Sequence, residues 1–206
     1  MAIILSGTAL TSDLATIRDG SAGIDVFRAA VERVGLHLAA ETSKHLPSIE
    51  VDVVTPLETT SCAVIDGSII LVSILRAGLG LLSPFLMFLP MASVGFIGLK
   101  RNELSLEPAE YYRKLPASDK NTSFIVIDPM LATGGSLLAT LALLKSVPHR
   151  RILAACLIAA PEGVARIEAE HPDVLLVSAA LDRQLSTIGY ILPGLGDAGD
   201  RLFGTV

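Results

Sequence analysis

The residues best placed to do chemistry lie at 124–136. Phe124-Ile125-Val126-Ile127 is an apolar run closed by Asp128, and Pro129, Met130, Leu131, Ala132, Thr133, Gly134, Gly135 and Ser136 follow before a helical pattern starts. A phosphate needs backbone N–H donors that converge at the positive end of a helix with no Cβ in the way. Gly134 and Gly135 allow that approach, and Thr133 and Ser136 add hydroxyl donors. No Lys follows the glycines to reach a β- or γ-phosphate, so the loop suits a phosphate monoester rather than a nucleoside triphosphate. An ordinary strand-to-helix turn would share the glycines. Asp128 argues for more, because a carboxylate at a strand end beside a phosphate accepts hydrogen bonds from sugar hydroxyls.

A second feature is Arg76, the only charge between Asp66 and Lys100. An Arg at the end of a buried strand must find an anion, which is either a structural carboxylate or a phosphate of the ligand. Gly78 frees the backbone beside it. Arg101, just after Lys100, is either a solvated loop charge or a second anion clamp. Nothing suggests a nucleophile: His37, His45, His149 and His171 stand in helical, loop or turn contexts, and no Ser–His–Asp or Cys–His arrangement is visible. Cys62 and Cys156 form neither a disulfide framework nor a metal motif and read as small buried hydrophobes.

The elements that must position these residues alternate. Ile24, Phe27, Val31, Val34 and Leu38 recur at helical spacing, which predicts an amphipathic helix over 21–44. Alternation at 49–53 predicts a half-buried strand. The aliphatic run 69–75 predicts a strand covered on both faces, followed by a helix over 80–89 and a strand over 93–99. Residues 101–118 concentrate charge, two prolines and Tyr111-Tyr112, and read as a hairpin excursion from the core. Strands at 124–127, 151–159 and 174–179 alternate with helices at 135–146 and 161–170, and 189–205 reads as a loop. This order predicts an α/β fold in one domain over 1–206, with a mostly parallel central sheet flanked by helices. Ligands of such sheets sit beyond the carboxyl ends of the strands, after Leu75, after Ile127 and at the C-terminal loop.

Composition limits the partners. Across 206 residues, 51% are hydrophobic and the net charge is −5, which excludes a disordered chain and argues against nucleic acid. Nine aromatics (three Tyr, six Phe) and no Trp leave little for base stacking. Residues 77–99 carry no charge, but Pro84, Pro90, Gly78 and Gly80 interrupt them, so no membrane span is expected. The first residues lack a basic segment, and a cytoplasmic protein is expected.

The segment from Asp128 to Ser136 closely resembles the phosphate-binding signature of the phosphoribosyltransferases, in the form typical of those that use uracil. Ile74-Leu75-Arg76-Ala77-Gly78-Leu79-Gly80 resembles the family's pyrophosphate loop. Residues 101–116 resemble its mobile hairpin. Ala160-Pro161-Glu162-Gly163, His171-Pro172-Asp173-Val174 and the tail from Gly189 to Arg201 also match. The resemblance covers residues 69–205 and fits the N-terminal third loosely, through Ile17-Arg18-Asp19. It departs at Ser73, where Pro is usual, at Ser83-Pro84, where Asp-Gly is usual, and at Ser186 and Thr187, where Asn and Glu are usual.

The resemblance implies a type I phosphoribosyltransferase fold with a C-terminal base-binding loop, and transfer of phosphoribose from 5-phosphoribosyl 1-diphosphate to uracil for pyrimidine salvage. Arg76, Arg101 and Asp128 would be the catalytic residues. The same three, with Pro129 to Ser136 and Asp197, would hold the phosphoribosyl diphosphate. Ile191, Gly196, Asp197 and Ala198 would hold uracil, read through free backbone groups of the glycine-rich loop. Mg²⁺ on the phosphates is expected, with no protein metal site. A homo-oligomer (dimer or tetramer) and GTP as candidate effector complete the implication. Two rival readings share the fold: transfer to another base, and a non-catalytic regulator that binds nucleotide.

Overall fold

The computed structural model describes residues 2–101 and 108–205. Six strands form a parallel sheet. They are β1 (Ile3–Ile4), β4 (Ile69–Leu75), β5 (Ser93–Arg101), β7 (Ser123–Ile127), β9 (Arg151–Ala159) and β10 (Leu175–Leu181). β6 (Pro108–Lys114) closes one edge antiparallel to β5, giving the order β1-β10-β9-β7-β4-β5-β6. Short β8 (Met130–Leu131) adds to β9.

The aliphatic runs are covered on both faces because helices lie on both. On one face α1 (Thr8–Arg18), α2 (Ile24–Ser43), α3 (Leu79–Phe88) and α6 (Ala198–Phe203) share a core with Leu71, Ile125, Ile127, Leu153 and Val177. On the other, α4 (Gly135–Lys145) and α5 (Pro161–Glu170) pack on Ile70, Val72, Phe124, Val126 and Ala154. Successive residues of one strand alternate between the two cores, as strand geometry requires. No helix of the described residues is long and apolar enough to cross a membrane.

Some expectations change. The strand at 49–53 exists as β2 (Ser48–Val54), but it pairs only with β3 (Thr59–Ile65) in a separate hairpin and is mostly exposed. Alternation reports an apolar face, not what covers it. Cys62 on β3 is exposed; only Cys156 is buried. Helix α1 was not expected, and 189–205 is not all loop: β12 (Ile191–Leu192) pairs with β11 (Gln184–Leu185), and α6 follows. Of the hairpin excursion expected over 101–118, β6 lies antiparallel on the sheet edge beside β5, and residues 102–107 lie outside the described residues.

Two departures from the family pattern are packing features. Pro84 of α3 sits where a Cβ on Gly35 of α2 would come within 2.4 Å of its ring, so this pair brings the helices close. Beside it, the Ser83 hydroxyl donates to Glu32 at 3.2 Å.

Candidate active site

Three loops meet at the carboxyl end of the sheet and enclose a cleft of about 230 Å³. Ala77 comes from the loop after β4. Asp128, Met130 and Ala132 come from the loop after β7. Tyr190, Ile191 and Gly196 to Gly199 come from the tail. The sheet order explains the meeting, because β4 and β7 are neighbours.

The loop after β7 is pinned before it turns. The Asp128 N–H donates to the Ala155 carbonyl at 3.2 Å, and the Pro129 carbonyl accepts from Leu157 and Ile158 at 3.0 and 3.1 Å. β8 then holds Met130 and Leu131 on β9. The turn closes at Gly134, whose φ of 80° lies in the left-handed region that favours glycine. Gly134 is the N-cap of α4 and offers no side-chain hydrogen bond, so the first-turn N–H groups have no side-chain partner. That is the backbone arrangement a phosphate needs.

Asp128 is half-buried in the cleft wall. Loss of water around its carboxyl pushes the pKa up to about 7, against one lowering contact, a long hydrogen bond of 3.4 Å from the Met130 N–H. Behind it, burial and then the negative charge of Asp128 push the Cys156 thiol up to about 12, despite a hydrogen bond with Ser178, so this cysteine is no nucleophile.

Arg76 follows a cis peptide bond at the end of β4. Its guanidinium reaches out of the strand to Asp200 of α6 at 3.2 Å and to the Thr205 hydroxyl at 3.3 Å. A carboxylate partner is therefore present, and both side chains remain substantially exposed. Gly78 acts differently from the expectation of a backbone freed for ligand. It is buried, and a Cβ there would lie 2.6 Å from the carbonyl oxygens of Ile127 and Ile74. Its role is to press the Arg76 loop onto the end of β7, beside Asp128.

The tail is held from behind by Arg18, Asp182 and Arg201, of which Asp182 had no part in the expected site. Arg18 donates to Asp182 at 2.6 and 2.9 Å and to the Gly194 carbonyl at 2.9 Å. Asp182, almost fully buried, accepts from the Gly194 N–H at 2.7 Å. Both polar groups of Gly194 are thus satisfied, next to the cis Leu192–Pro193 bond. Arg201 donates to the Leu195 carbonyl at 2.8 Å and lies 4.1 Å from the centre of the Phe27 ring. Ser186, another departure, accepts from the Tyr190 N–H at 3.0 Å and closes the turn into the glycine-rich tail. The signal for Asp182 was available: like Asp128, it is an acid that ends an apolar strand.

Of the expected site residues, Asp128, Met130, Ala132, Ile191, Gly196, Asp197 and Ala198 line the one cleft. Pro129 and Leu131 are buried behind it, Thr133 and Gly134 form the turn beyond it, and Gly135 and Ser136 open α4. Asp197 also caps α6, accepting from the Asp200 N–H at 2.9 Å. Arg101 ends β5, and its side chain lies outside the described residues. Two carboxylates on one cleft, Asp128 and Asp197, suit a hard cation that brings most of its own ligands.

A model of the family described as uracil phosphoribosyltransferase matches residues 4–205. A curated Exiguobacterium protein named uracil phosphoribosyltransferase is 50% identical, over 92% of this chain and 91% of its own length. The solved structure of the AQ2163 protein from Aquifex aeolicus superposes with a TM-score of 0.89 at 37% identity, covering 98% of both chains. A hypoxanthine phosphoribosyltransferase from Staphylococcus aureus superposes with a TM-score of 0.53 at 16% identity, over 77% of this chain and 76% of that one, a likeness that speaks for the fold alone. With a family match that spans nearly every residue and relatives this similar over the same length, the chain belongs to the uracil phosphoribosyltransferase family.

Proposed function

We propose that this protein joins uracil to the phosphoribosyl group of 5-phosphoribosyl 1-diphosphate, giving UMP and diphosphate in pyrimidine salvage. The observation that carries the reading is the shared cleft, where the sugar-phosphate loop and the base loop face one another. The 5-phosphate sits on the backbone donors at residues 132–136, and Asp128 accepts from the ribose hydroxyls. Arg76 holds the diphosphate, with Arg101 as a second clamp. N1 of uracil bonds to C1 of the sugar as the C1–O bond breaks. Diphosphate leaves with the electron pair, and N1 gives up its proton. Because the sugar carbon becomes cationic, the protein must orient both reactants and stabilise the departing charge, and no side-chain nucleophile is required.

Backbone groups at Ile191, Gly196 and Ala198 read the base. Cytosine would set an amine donor against the backbone donor that suits uracil O4, which disfavours it. Asp128 and Asp197 would hold Mg²⁺, which when bound would supply charge neutralisation on the leaving group.

The same reading takes the protein to be a cytoplasmic homo-oligomer. In support, its cysteines are unpaired, and Ile49, Val53, Val54 and Leu57 stand exposed on the β2–β3 hairpin, a surface that a second copy would cover. GTP remains a candidate effector from the family resemblance. The relatives favour neither a non-catalytic regulator nor another base. The test is formation of UMP from uracil and 5-phosphoribosyl 1-diphosphate with Mg²⁺, and its loss on chelation. Unchanged turnover in excess chelator would contradict the cation's role; no UMP under any condition would contradict the reading itself.

A further inference from the structure

Two arginine–carboxylate pairs hold the segments that line the cleft, and they are built differently. Arg18 grips Asp182 with two nitrogens at 2.6 and 2.9 Å, and Asp182 is almost fully buried. Arg76 meets Asp200 through one nitrogen at 3.2 Å, with side-chain exposures of 54% and 34%. The first geometry is strong and hard to break, whereas a single exposed contact is worth little and exchanges readily.

Asp200 also keeps other company. The Thr205 hydroxyl donates to it at 2.6 Å, so the carboxylate is not stranded if Arg76 leaves. The element that carries Asp200 is docked on the Arg76 loop. A Cβ on Gly80 would meet a methyl carbon of Leu202 at 2.6 Å, so bare backbone there lets α6 lie against the start of α3. Packing of α6 on α3 therefore keeps the Asp200 carboxylate within reach of Arg76.

We propose that Asp200 is the positioning residue for Arg76, a resident counter-ion that the diphosphate of the sugar substrate displaces and that reclaims the guanidinium as diphosphate departs. The proposal rests on the reading that Arg76 binds diphosphate. In the free enzyme, Asp200 holds the guanidinium beside the cleft and satisfies its charge. Diphosphate offers more charge and several acceptor oxygens, so it wins the exchange, but at an affinity reduced by the competition. The same competition weakens the hold on the product. The pair thus trades substrate affinity for release of the leaving group.

The experiment is calorimetric titration of inorganic diphosphate with Mg²⁺ into wild type, Asp200→Asn, Arg76→Ala and the double variant. Asp200→Asn should bind diphosphate about two- to fivefold more tightly, the fold-change equivalent to an exposed ion pair. Arg76→Ala should weaken binding by about tenfold or more, and adding Asp200→Asn to it should change nothing further. Unchanged or weaker binding in Asp200→Asn would overturn the proposal. So would an equal gain in the Arg76→Ala background, which would mean direct repulsion between Asp200 and diphosphate. Normal binding in Arg76→Ala would instead overturn the underlying reading of Arg76. Asp200→Asn keeps the α6 cap, which uses the backbone N–H of residue 200. Asp200→Glu, which restores a carboxylate, should return affinity toward wild type, and failure to do so would count against the counter-ion.

Discussion

At the scale of single residues, the proposed function assigns the chemistry to Arg76 and Asp128, and each assignment makes a distinct prediction. Arg76→Ala should lower kcat/KM by about 30- to 1000-fold, the loss expected when a group that stabilises transition-state charge is removed, some 2–4 kcal/mol. Its exposed contact with Asp200 limits the stability cost to about 1 kcal/mol or less. Thermal unfolding and steady-state kinetics on one preparation check both halves; a variant that unfolds while its folded fraction stays active would make Arg76 a structural ion-pair partner.

For Asp128 the carboxyl is raised in the folded protein to about 7 from an ordinary value near 3.8. Between those values the folded protein holds a proton that the unfolded chain has released, so this group makes stability fall as pH rises through the window. Asp128→Asn cannot ionise and should gain stability relative to wild type from about pH 4 to about pH 7, then level off. Denaturant unfolding without ligand, repeated across that range, reads the difference; a difference that does not vary with pH would place the carboxyl in water. Both residues were legible in the sequence because each breaks an apolar run. The Arg18–Asp182 clamp was not, because its members stand 164 positions apart and only the fold pairs them.

At the scale of elements, the turn into α4 separates two glycines that looked equivalent in the sequence. Gly134 has a left-handed backbone, so Gly134→Val should cost both stability, by about 1 kcal/mol or more, and phosphate binding. Gly135 is the first residue of α4, where a side chain obstructs the ligand more than the fold. Gly135→Val should therefore unfold near the wild-type temperature and lose most of its affinity for ribose 5-phosphate. Parallel loss of stability and affinity in both variants would mean that Gly135 too is only a conformational requirement. Most elements were legible because their aliphatic runs or helical periods are long. α6 was missed because six residues are too few to display a period. α1 was missed although Leu10, Leu14 and Ile17 do repeat at helical spacing and are buried. β3 offered only a Thr-rich segment with no partner visible in sequence.

Across the whole molecule, the alternation of strands and helices was enough to predict a parallel sheet with its ligand site beyond the carboxyl ends, and the cleft lies there. What the alternation left open was the hairpin β2–β3, which belongs to neither core, and the way three distant segments close one cleft. That closure sets the loop after β7 opposite the glycine-rich tail, and the proposed function gives the first the sugar phosphate and the second the base. The most direct measurement is kcat/KM for uracil, cytosine, hypoxanthine and adenine with 5-phosphoribosyl 1-diphosphate and Mg²⁺ in one series. Uracil should be converted to its monophosphate, with cytosine and the purines disfavoured by about a hundredfold or more, as expected when buried polar groups are left mismatched. Equal or faster use of a purine, or of cytosine, would contradict the proposed function.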